Sequence, residues 1–86
     1  MTTLVRATLD LIPTGYSEGL YQGRRYGMRK TLHAGGKGVK FFARDLAGTD
    51  FVSLNLYLLS GGDLLRPCEM PEAKVRDFLL SVKVPA

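Results

Sequence analysis

The chain has 86 residues, of which 45% are hydrophobic and 23% charged, with one cysteine, one histidine, no tryptophan and a net charge of +4. That length fits one small domain, and the composition excludes a disordered tail, a collagen-like chain and a solenoid. One cysteine excludes an internal disulfide and a cysteine-based zinc site, and one histidine leaves no basis for a histidine-rich metal centre.

Charge is unevenly placed. Arg24, Arg25, Arg29, Lys30, Lys37, Lys40 and Arg44 fall within 24–44, a window without acids, while the remainder carries five basic and eight acidic residues and nets −3. A concentrated basic segment suits an anionic partner such as nucleic acid, phosphate groups or an acidic protein. A solvated basic hairpin would show the same pattern. Arg6 and Asp10 interrupt the apolar residues near the N-terminus. No apolar run suits a signal-peptide core or a membrane span, so a cytoplasmic location is expected, and a lone reduced cysteine fits it.

Residues 3–12 read as a helix. Thr2 or Thr3 can cap it, Val5, Leu9 and Ile12 recur at helical spacing beside Leu4 and Leu11, and Pro13 and Gly15 stop it. Residues 13–23 read as a connector with room for a short strand near Leu20 to Gln22. From Arg24 the period becomes two. Residues 24–33 place Tyr26, Met28 and Leu32 on one side, with Arg25, Gly27, Arg29 and Thr31 on the other. The run 34–38 is a glycine turn. Residues 39–45 set Val39, Phe41 and Ala43 against Lys40, Phe42 and Arg44, and 51–59 set Val52, Leu54, Leu56 and Leu58 against Ser53, Asn55 and Tyr57. Leu64 to Arg66 form a short last strand, ended by Pro67 because proline removes a ladder donor. Pro71 opens a second helix over 71–82 with Val75, Phe78, Leu79 and Val82 on one stripe.

The expected fold is a single α+β domain over 1–86. It is a four-stranded antiparallel meander with an N-terminal and a C-terminal helix packed on one face. The open face then carries Arg25, Arg29, Lys40, Phe42, Arg44, Ser53, Asn55 and Tyr57. Cations that follow phosphates, beside aromatic rings that stack bases, are the chemistry of single-strand binders. At fold level alone this resembles the ββββα single-stranded-DNA binders of the Whirly and coactivator type, without a motif match. The same aromatics and arginines suit a homodimer interface.

Other constellations are thinner. Gly36-Lys37-Gly38 is no P-loop, because glycine follows the lysine and a strand follows the turn. Cys68 precedes the last helix, where backbone N–H groups can lower a thiol pKa; Arg66 would assist and Glu69 oppose. Free cysteine equally fills cores. His33 reads as a turn residue, and Asp45, Asp50 and Asp63 as turn formers.

Tyr21-Gln22-Gly23-Arg24-Arg25-Tyr26, the run from Phe41 to Leu46, Asp50 to Tyr57, and Leu65-Arg66-Pro67-Cys68-Glu69-Met70-Pro71 together resemble a group of short bacterial proteins of unknown function. Some of these carry a peptide methionine sulfoxide reductase label. The label implies a nucleophilic cysteine and a carboxylate acid, for which Cys68 and Glu69 are the candidates. The chain lacks the Gly-Cys-Phe-Trp-Gly motif of A-type reductases and the paired Cys-x-x-Cys motifs of many B-type enzymes, so the label reads as an inherited naming error. The expectation is a non-enzymatic protein, without cofactor or metal, whose basic face binds an anionic partner, single-stranded nucleic acid in its specific form. A single-cysteine thiol redox enzyme using Cys68 and a structural protein that dimerises through the open face are the alternatives.

Overall fold

The computed structural model describes residues 2–84, with side chains from Val5 onward. The proposed caps Thr2 and Thr3, and the flanking Leu4, lie outside the described side chains. Helix α1 (Thr2–Leu11) leads into strands β1 (Gly15–Tyr21), β2 (Arg24–His33), β3 (Gly38–Asp45), β4 (Phe51–Leu59) and β5 (Gly62–Pro67), and helix α2 (Glu72–Ser81) follows. The strands make one antiparallel sheet in the order β1-β2-β3-β4-β5. The chain is α+β with a helix at each end, and the sheet has five strands rather than four. Among the described residues no helix is long and apolar enough to cross a membrane.

The additional strand is β1, in the segment read as a connector. Its turn to β2 is Gln22-Gly23, with φ of 53° and 76°. Two successive positive φ values make a turn whose twist matches that of the flanking strands. The strand was hidden because its inward positions are Gly15, Ser17, Gly19 and Tyr21, which supply almost no apolar alternation. Crowding explains the small residues. A Cβ on Gly19 would lie 3.0 Å from Met28 Cε, 3.1 Å from the Lys83 carbonyl oxygen and 3.1 Å from Val82 Cγ2. The segment after α2 crosses here. Lys83 N–H donates to the Leu20 carbonyl (2.7 Å) and Leu20 N–H donates back (3.0 Å), so one bridge covers the free edge of β1.

Both helices cover the same sheet face. Val5, Leu9 and Ile12 from the α1 segment join Val75, Phe78 and Leu79 from α2. They pack on Tyr26, Met28, Val39, Phe41, Ala43, Val52, Leu54, Leu56 and Leu65, all buried. Burying one large apolar side chain stabilises by about 1.5–3 kcal/mol, so this cluster holds the domain together. Phe78 is its hub, with ring centroids 4.8 Å from Tyr21, 5.2 Å from Tyr26 and 6.1 Å from Phe41. Leu32 departs from expectation. It has core parity but is 48% exposed.

Lys30 also has core parity and is buried. Its Nζ donates to the carbonyls of Leu9 (2.7 Å) and Ile12 (3.0 Å). Those carbonyls end α1, where unpaired acceptors and the negative end of the helix dipole favour a cation. A second group of polar contacts fastens α2 to the sheet. Tyr21 Oη donates to Asp77 and Tyr26 Oη to Asp50 (2.8 Å), while Lys74 Nζ donates to Asp50 (2.6 Å). Asp45, buried at the end of β3, accepts from Arg24 Nε (2.5 Å) and from the Ala47 N–H (3.0 Å).

Candidate nucleic-acid interface

Alternation along each strand sends every second side chain away from the helices. The strand register then lines these outward residues up in rows across the sheet. One row runs Glu18, Gly27, Arg44, Phe51; the next Tyr16, Arg29, Phe42, Ser53; the next Thr31, Lys40, Asn55, Arg66; and a last one His33, Gly38, Tyr57, Leu64. Arg25 stands opposite Leu20 beyond the first row. Arg25, Arg29, Lys40, Phe42, Arg44, Asn55 and Tyr57 therefore all lie on the uncovered face.

Not all of the basic segment is there. Lys30 is buried under α1, and Arg24 pairs with Asp45. Residues outside the segment take part instead. Arg66 shares a row with Lys40 and Asn55, and Phe51 stacks beside Phe42 with centroids 6.0 Å apart and ring planes 24° apart. Both were legible by carrying the alternation one step further, Phe51 from Ser53 and Arg66 from the apolar Leu65. Tyr16 had no such signal, because β1 itself was hidden.

Ion pairing separates the charges. Asp45 binds Arg24, Asp50 binds Lys74, Asp63 binds Arg6 and Glu72 binds Arg76, none of them among the outward rows. Among the residues of these outward rows Glu18 is the one carboxylate. It lies 3.5 Å from Arg25 and accepts from Tyr16 Oη at 3.1 Å. Desolvation and that bond to Glu18 raise the Tyr16 phenol above its ordinary pKa. Among the described residues Arg29, Lys40, Arg44 and Arg66 form no ion pair, and all four are exposed.

Aromatic surface is interleaved with these cations. Phe42 and Phe51 are 41% and 39% exposed. Tyr57 is half-buried, with the His33 ring edge-on at 6.1 Å. His33 lies over Gly38, where a Cβ would come within 2.2 Å of its Cε1. The histidine read as a turn residue is thus a neighbour of Tyr57.

Cys68 is half-buried on the open face. Its N–H donates to the Ser53 carbonyl (3.0 Å), and Asn55 Nδ2 donates to its Sγ (3.5 Å). His33 belongs to the Tyr57 row, four residues along β4 from Ser53, or about 13 Å, too far to act as its base. Glu69 is exposed with a left-handed φ of 59° and makes no hydrogen bond to Cys68. Among the described residues no group of three or more His, Cys, Asp or Glu could hold a metal ion. Neither a family model, nor a curated protein, nor a solved structure matches the chain.

Proposed function

We propose that the open sheet face binds single-stranded nucleic acid, as a non-enzymatic binding module. The observation that carries this reading is the set of four cations without an ion pair, Arg29, Lys40, Arg44 and Arg66, arrayed around Phe42, Phe51 and Tyr57 on one exposed face. Cations neutralise phosphates, and aromatic faces stack bases whatever their sequence. Phe42 and Tyr57 are the stacking rings, with Phe51 bracing Phe42. Asn55 commits its amide N–H to Cys68 and keeps its carbonyl oxygen to accept from a base. The same charges disfavour pairing of this face with its twin, because four cations on each copy would be brought together and Glu18, already beside Arg25, offsets few of them.

The test is a fluorescence-anisotropy titration of labelled single-stranded DNA and RNA at two salt concentrations. Binding at low salt that weakens steeply at high salt is expected. No binding at low salt would remove the reading. Replacing Phe42 and Tyr57 by alanine should weaken binding by about tenfold or more while circular dichroism stays unchanged. Unchanged affinity in that double variant would sink the stacking role.

A further inference from the structure

The open face is not flat. Gly27, the outward position of β2 between Arg25 and Arg29, has no side chain and is buried beneath Tyr16 and Leu46, at the base of a half-open recess of about 480 Å³. Its apolar walls are Tyr16, Phe42 and Leu46, and Arg29, Lys40 and Arg44 also line it. The floor depends on glycine. A Cβ on Gly27 would sit 2.8 Å from Tyr16 Oη and 3.0 Å from Leu46 Cδ2. Such a volume falls within the ~300–1,000 Å³ range of small-molecule sites.

Resting on the reading above, we infer that this recess takes a single unstacked nucleobase, with the phosphates on either side of it held by Arg29, Lys40 and Arg44. Two features favour a base over a phosphate in the recess itself, and the cations at its rim suit the flanking phosphates. The walls are two aromatic rings and a leucine, surfaces that suit a π-face and give little to an anion. Among the described residues the three cations that line it have no carboxylate partner, which leaves them for the phosphates on either side of the base. Tyr16 Oη, which lies over Gly27 and donates its hydrogen to Glu18, keeps lone pairs that accept from a base edge. A duplex keeps its bases stacked and paired, so entry requires a single strand. Binding energy is then concentrated on one nucleotide instead of being spread evenly along the strand.

The experiment compares labelled DNA oligomers of equal charge and of about eight nucleotides, within the ~4–16 nucleotide span of small single-strand sites. One carries every base, one is wholly abasic, and one is abasic except for a single central thymine. The fully based oligomer should bind about tenfold more tightly than the abasic one, and the single thymine should restore most of that difference. The variant Gly27→Val keeps every charge and displaces Tyr16 and Leu46, two walls of the recess, so it should remove the gain that the single thymine brings. Should that variant misfold, the three wild-type titrations decide alone. Equal binding of based and abasic oligomers would overturn the inference and leave a phosphate-binding face. So would a single thymine that restores only a small part of the difference. Failure of all three to bind at low salt would overturn both the inference and the reading beneath it.

Discussion

At the scale of single residues, Lys30 shows how a charge read as part of a basic patch serves the fold instead. Its ammonium satisfies two carbonyls at the end of α1, inside the core. Lys30→Met keeps the aliphatic stem and strands those acceptors, which should cost about 1–3 kcal/mol. In a domain of this size that is about 4–8 °C of Tm for each kcal/mol, read by thermal denaturation. A variant of unchanged Tm would show that water satisfies the carbonyls as well. Tyr21 and Tyr26 give the pH dependence. Burial first, then the bonds to Asp77 and Asp50, push both phenols up to about 12. A raised folded pKa means that the unfolded state releases its proton first, from about pH 10. The stabilisation from these phenols is therefore complete below pH 10 and is lost as pH rises towards 12. Phenolate absorbance from these two residues should appear together with loss of the circular dichroism signal, and Tyr21→Phe and Tyr26→Phe should each remove part of that late step. Ionisation of both near pH 10 with the fold intact would contradict the assignment.

At the scale of elements, legibility followed the side chains available to report it. Strands β2, β3 and β4 announce themselves because apolar residues recur at every second position over most of their length, with Lys30 the exception in β2. β1 does not, since its inward face must be small where Val82, Lys83 and Met28 press on Gly19. Its turn is equally quiet, for Gln22 adopts the left-handed φ that Asn or Gly would advertise. Gly19→Ala tests this account. The flexible Met28 Cε can yield, but the Lys83 carbonyl is backbone, so the added methyl should push the tail off β1. The expected result is faster amide exchange at Leu20 and Lys83, with a loss of about 1–3 kcal/mol from overpacking. Unchanged exchange at Leu20 would mean that the tail is held by other contacts. The missing strand also hid Glu18, Tyr16 and the recess that Tyr16 borders.

At the scale of the whole molecule, the sequence carries the separation of faces but not the separation of charge. Alternation alone places Arg29, Lys40, Phe42, Arg44, Asn55 and Tyr57 on the side away from the helices. It cannot say that Arg24 is held by Asp45, that Lys30 is spent on α1, or that Arg66 arrives from β5 to lie beside Asn55. Those facts depend on contacts between residues far apart in the chain, and among the described residues they leave four cations without an ion pair on one surface. The most direct test of the account is the slope of log binding constant against log salt concentration for a single-stranded oligomer. Each neutralised phosphate contributes about −0.7 for a single strand, so four engaged cations give a slope of about −3. The double variant Arg29→Ala/Arg44→Ala should flatten it by about 1.4. A slope near zero for the wild-type protein, or a slope that the folded double variant leaves unchanged, would contradict the claim that this face holds the strand.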